Sequence, residues 1–230
     1  MHPHEDVRNS VASRAEADVA PPRRSWPSAA LLGGGTDGNE ELTSRVGVVL
    51  IVLFAVLGVT ILQIRQLIWL HLFLGLLLLG PVALKLASTG YRFVRYYARD
   101  TTYLRKGPPE LALRAMGPIL VASTMAVFTS GIVLLFEGPR NRALPLLIHK
   151  ASFIVWLVFV GLHIVGHLPG FASALRASNV SQEGLGTATG AAGRWIVLVG
   201  AIVGGVVLAL ALIPHFGLWT APGAFPHHHH

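Results

Sequence analysis

The 24 residues Leu144–His167, LPLLIHKASFIVWLVFVGLHIVGH, decide how the rest of the chain is read. The stretch is apolar, and it is long enough to cross a bilayer as a helix, which takes about 20 residues. Yet it carries three histidines, His149, His163 and His167. Hydrocarbon does not solvate an imidazole, so a ring held at membrane depth marks a working site by default. His149 and His163 are 14 residues apart. At about 100° per residue they fall within about 40° of one helix face, and at about 1.5 Å rise they stand about 21 Å apart along the axis. One histidine therefore lies toward each edge of a hydrocarbon layer roughly 30 Å thick.

The remainder of the chain agrees with a membrane setting. Of its 230 residues 53% are hydrophobic and 13% are charged, about half the charged fraction usual in a soluble domain, roughly 25%. Mean hydropathy is +0.60. There is no cysteine, which excludes disulfides, thioether-linked haem, iron–sulfur ligation and thiol catalysis. The expected fold is all-α: a polytopic membrane bundle with a four-helix core at 43–168 and a fifth membrane helix at 193–214. Its helices are expected at 43–63, 66–90, 111–136, 144–167 and 194–213, with a very short turn around Arg65 between the first two and Pro81 interrupting the second. Residues 1–42 read as a disordered tail, with the glycine-rich Leu31–Gly38 as linker. Residues 169–192 read as a loop, and 215–230 as a second tail whose closing histidines look like a purification tag.

The net charge of +7 is explained by orientation. Arg8, Arg14, Arg23, Arg24, Arg45, Arg92, Arg95, Arg99, Arg105, Lys106, Arg114, Arg176 and Arg194 fall on one side of a five-helix arrangement, against Arg65, Arg140 and Arg142 on the other. Basic loops stay in the cytoplasm, so the N-terminus is expected inside, the C-terminus outside, and the location is the cell membrane. Nucleic acid is not needed to account for the charge.

With that topology the second and fourth helices run the same way. His71 and His149 each lie six residues into their helix, at equal depth near the outer face. Fourteen residues on from each come Lys85 and His163, also at equal depth, near the inner face. Gly75 follows His71 by one turn, Gly117 and Gly131 of the third helix are again 14 apart, and Gly47 and Gly58 lie on the first helix. Trp156 stands midway between His149 and His163. Two imidazoles facing each other at one depth, with small residues nearby to let a flat macrocycle pass, are the elements of a haem site: His71 and His149 as axial ligands, and His163 with Lys85 at a second level. His167 rivals His163 as a ligand. Lys85 has three readings: an ammonium reaching to the surface, a partner of a haem propionate, or a neutral amine on iron.

This arrangement resembles the di-haem b-type transmembrane cytochromes, a group including the cytochrome b core of quinol-oxidising complexes, the haem subunits of formate dehydrogenases and ferric-reductase-like proteins. The resemblance covers about residues 43–168. It implies ligand positions at His71, His149 and His163, a clearance pair at Gly117 and Gly131, and one or two haem b groups. Lys85 departs from it. The function implied is electron transfer across the bilayer between a quinol or cytoplasmic donor and an external acceptor, as an electron-transfer subunit of an oxidoreductase. The partners are lipid and a redox protein or quinone, with a homodimer or larger redox complex left open.

Two other classes compete. One is a haem-free small transporter using the histidines and Lys85 as a polar relay; the other is a membrane anchor subunit. A carrier calls for an inverted repeat and matching broken helices, which are not evident. Tyr91–Lys106 alternates aromatic and basic residues, suiting either partner or anionic-lipid docking or an interfacial helix extension. Gly200 and Gly204 form a GxxxG spacing, read as close packing of the fifth helix inside the bundle.

Overall fold

In the computed structural model of this chain the described residues are 35–99, 111–178, 191–221 and 224. They form α1 (Gly35–Leu62), α2 (Ile64–Tyr97), α3 (Leu111–Glu137), α4 (Ala143–Ser178), α5 (Ala191–Leu212), a 3-10 turn (Ile213–Phe216) and the short α6 (Gly217–Thr220). Five spans, Gly38–Leu62, Ile64–Tyr97, Ala115–Glu137, Ala143–Gly166 and Ala192–Thr220, are long and apolar enough to cross a membrane. Many large apolar side chains face outward, among them Val52, Leu62, Ile154, Val165 and Ile196. An aqueous protein hides such residues; a bundle solvated by lipid need not. The chain is a multi-pass membrane helix bundle.

The chain folds as hairpins. Between α1 and α2 only Gln63 leaves helical geometry before Ile64 starts the next helix, and the helix lapses once more at Leu67 (φ −105°, ψ 16°). The helix therefore does not break at Pro81, where interruption was expected: Pro81 is buried inside α2, and the irregular residue is Leu67. The α1–α2 hairpin is antiparallel, with Thr60 opposite His71, and Thr43 opposite Lys85 and Ser88. The α3–α4 hairpin turns at Gly138, whose φ of +68° suits a residue without a side chain. There Ser130 and Val127 face His149.

α5 lies against α2, and the two backbones touch. A Cβ on Gly80 would strike the Ala201 carbonyl, and one on Gly205 would strike the carbonyl of Leu77. The expectation that Gly200 and Gly204 pack inside the bundle is corrected: nothing lies within 4 Å of where their side chains would start. The packed face of α5 is turned by one residue, to Ala201 and Gly205. One apolar core joins Val46 and Leu50 of α1, Leu78 and Val82 of α2 and Leu198 of α5, with Phe128 of α3 packed against it. A second joins Leu76, Leu135, Ala209 and Phe216.

Helix ends differ from expectation in four places. α1 begins at Gly35, within the stretch read as tail and linker; residues 1–34 lie outside the described residues. α2 has 34 residues, about 51 Å at about 1.5 Å per residue, so it overshoots the hydrocarbon layer. α4 continues to Ser178, past Pro169 and Gly170, where a loop was expected. Finally, Ile213–Thr220 carries the α5 span onward against the bundle instead of leaving as a tail, with Phe216 and Trp219 buried.

Candidate functional site

His71 stands two turns into α2, on the side facing α1. Its Nδ1 lies 2.8 Å from Oγ1 of Thr60. Thr60 is 1% exposed, and its hydroxyl donates to the Leu57 carbonyl at 2.5 Å. A hydroxyl has one proton. With that proton on Leu57, Thr60 accepts, and the Nδ1 of His71 is the protonated nitrogen. Nε2 keeps its lone pair.

His149 reaches the same state by a different route. Its Nδ1 is 3.0 Å from the Val127 carbonyl, which only accepts. Ser130 Oγ, 3.2 Å away, donates to the carbonyls of Ala126 at 2.6 Å and Val127 at 3.0 Å. Nδ1 of His149 therefore carries the proton as well. Gly131 allows this approach: a Cβ there would sit 3.2 Å from Cε1 and 3.5 Å from Nδ1 of the His149 ring. The space expected to clear a macrocycle beside Gly131 thus holds the imidazole itself.

The helices carrying these rings belong to different packed groups. α2 packs on α1 and α5, while α4 packs on α3; α2 and α4 have no extensive backbone contact among the described residues. The Cβ positions of Gly75 and Gly117 meet nothing within 4 Å. At mid-bundle Trp156 of α4 is buried against Phe54 of α1, ring centres 4.6 Å apart, and stacks beside Phe153. It joins the two groups through α1.

The second level is built differently. Lys85 donates from Nζ to the Thr43 carbonyl at 2.7 Å, and a Cβ on Gly47 would lie 3.3 Å from that nitrogen. Ser88, one turn on, bonds the Thr43 hydroxyl, and Asn39 donates to the Ser88 carbonyl. One N–H of Lys85 is thus anchored to α1. His163 is part-buried in α4, with its Nδ1 shielded from solvent. His167 is in α4, but its side chain lies outside the described residues. Beyond these, Glu41 pairs with Arg45 and, at 2.6 Å, with the buried Arg194, while Arg45 lies over Trp195 at 4.9 Å. This ties the starts of α1 and α5. The aromatic–basic stretch after Tyr91 continues α2 to Tyr97, with Phe93 and Tyr97 exposed and Arg95 beside the Tyr91 ring; residues 100–110 lie outside the described residues.

Thr60, Ser130 and Trp219 are the site-shaping residues that sequence reasoning missed. For the two hydroxyls a signal existed. With hairpin turns near Arg65 and Gly138–Arg142, Thr60 and His71 are almost equidistant from one turn, and Ser130 and His149 from the other.

Among the described residues no group of three or more His, Cys, Asp or Glu could hold a metal ion. Two neutral imidazoles make half of a tetrahedral set. Comparison of the chain with protein-family models, curated proteins and solved structures finds no match.

Proposed function

We propose that this protein is a b-type haem membrane protein that transfers electrons, with one haem held between His71 and His149. The observation that carries the reading is the shared tautomer. Each ring gives its Nδ1 proton to an acceptor on the preceding helix, so each Nε2 is left basic and its ring is anchored. Such anchoring is what haem- and metal-ligating histidines use to fix ring orientation and strengthen donation.

The residues present fit the group. Two imidazoles come from two helices that do not close on each other, and Gly75, one turn from His71 on α2, adds no bulk nearby. When bound, a haem supplies one-electron chemistry by cycling its iron between ferric and ferrous states. The chain does the rest. His71 and His149 would both hold the haem, and a haem held by two histidines would favour electron transfer over oxygen binding. Thr60, Ser130 and Val127 hold the rings at fixed angles, so little rearranges when charge changes. The lipid-facing apolar shell keeps water from the site. The single-haem reading rests on the His71–His149 pair, where both rings are anchored from the preceding helix.

The excess of basic residues on the side of the N-terminus supports an orientation with that terminus cytoplasmic. The histidine pair then lies toward the external face, where electrons pass between membrane quinol and an external redox partner.

The deciding experiment is an absorbance spectrum of protein purified from iron-replete cells, oxidised and then reduced with dithionite, with a pyridine haemochrome count. A ratio of one haem per chain, lost in His71→Ala and in His149→Ala but kept in His163→Ala, is expected. A colourless preparation, or bands that survive both ligand substitutions, overturns the proposal.

A further inference from the structure

We propose that the C-terminal return, Ile213–Thr220 with Ala224, is a clasp that sets the separation of α2 and α4 at the histidine end, and that Trp219 is its positioning residue. The inference deepens the haem reading above and rests on it for its meaning, though not for its geometry. His71 and His149 sit in two packed groups, α1–α2–α5 and α3–α4, and something must fix the gap between them. Mid-bundle, Phe128 and the Phe54–Trp156 contact do so. Direct contact between α2 and α3 is slight, and the return touches both of them.

Its fastenings are specific. Phe216, 2% exposed, is shared by Leu76 of α2, Leu135 of α3 and Ala209 of α5, and Trp69 of α2 meets its ring edge-on at 5.9 Å. The indole N–H of Trp219 donates to the Leu134 carbonyl at 2.8 Å in a buried setting. Leu218 packs where Gly138 leaves room. His215 meets Phe136 edge-on at 4.8 Å, and Arg142 donates to the Ala224 carbonyl at 3.1 Å. On its other side the return continues directly from α5, which α2 grips backbone to backbone at Gly80 and Gly205.

A mechanical path therefore runs from α2 through α5 and the return to Leu134. Leu134 is one turn along α3 from Ser130, which bonds His149. Ligand constellations work when held within about 0.5 Å of their productive geometry, and the return lies where that tolerance must be kept.

The chain has no cysteine, so Gln66→Cys on α2 and Lys150→Cys on α4, both exposed, carry spin labels without background. Into this doubly labelled protein Trp219→Ala is introduced. The distance between labels is expected to lengthen and its distribution to widen. In the reduced protein, the Soret band is expected to be inert to carbon monoxide in the parent and to shift on adding the gas in the variant, while the haem count stays unchanged. An unaltered distance and unaltered inertness to carbon monoxide overturn the clasp. If Trp219→Ala fails to fold, Trp219→Phe, which keeps a ring and loses only the N–H, is judged by the same two readings. A colourless parent would sink the haem reading, and the label distances would still decide the clasp.

Discussion

Thr60 and His71 stand eleven positions apart across a one-residue turn, and the hydroxyl of the first accepts the Nδ1 proton of the second at 2.8 Å. This bond chooses the tautomer, and the tautomer chooses which nitrogen can bind a metal. Thr60→Val keeps the shape and removes the acceptor. An unsatisfied buried N–H costs about 1–3 kcal/mol, and loss of such an anchoring partner typically weakens metal binding about 10- to 100-fold. The variant is expected to lose haem on dilution or transfer to apomyoglobin at least about 10-fold faster than the parent. Thr60→Ser restores the acceptor and is expected to restore retention. Equal retention in the parent and Thr60→Val would remove Thr60 from the site.

Ser130→Ala is expected to be milder. His149 keeps the Val127 carbonyl at 3.0 Å after the hydroxyl at 3.2 Å is gone. What is lost is one weaker share of a two-acceptor bond, about 0.5–1.5 kcal/mol. The check is the same haem-release assay run beside Thr60→Val. The order parent, Ser130→Ala, Thr60→Val from slowest to fastest release is the expected result, and the reverse order would mean that Ser130, not Val127, holds the ring.

Much of this was legible in the sequence because membrane helices announce themselves by length and apolarity alone. The five spans and the depth match of His71 with His149 follow from counting. What counting does not give is direction around the helix axis. Gly200 and Gly204 have the spacing of a packing face, yet it is Gly205, one residue on, that meets α2, because the face is set by where Gly80 sits on the partner. Lys85 has the position of a ligand by its 14-residue spacing, and counting does not reveal that its amine also reaches the Thr43 carbonyl on α1. The C-terminal return was unreadable for another reason. Pro214 and His215 look like the end of a span, and the apolar Phe216 and Trp219 that follow identify a buried segment only once Leu134 and Leu76 are in place to receive them.

Gly75 and Gly131 look alike in the sequence and predict opposite behaviour. Nothing lies within 4 Å of a Cβ at Gly75, so Gly75→Ala in the haem-free protein is expected to be neutral or to gain up to about 1 kcal/mol from better helix propensity. If a macrocycle passes there, the same methyl is expected to lower haem occupancy. At Gly131 the methyl would stand 3.2 Å from Cε1 of His149, so Gly131→Ala disturbs the ring with or without haem. Thermal unfolding of haem-free and haem-loaded forms, read beside the haemochrome ratio, separates the two. A Gly75→Ala protein with full haem content would exclude Gly75 from the macrocycle's path.

The α2–α5 contact gives a prediction independent of any cofactor. At Gly205 a side chain would run into the Leu77 carbonyl, a backbone atom that cannot swing aside. Gly205→Ala must therefore push α5 away from α2, with a cost of about 1–3 kcal/mol for overpacking and loosening of the helix that carries the C-terminal return. Its neighbour is the control. Gly204→Ala adds the same methyl where nothing lies within 4 Å and is expected to gain up to about 1 kcal/mol. Unfolding in mixed micelles of mild detergent and SDS measures both. A loss confined to Gly205 confirms the turned face of α5; a loss at Gly204 instead would mean that the GxxxG face is the packed one after all.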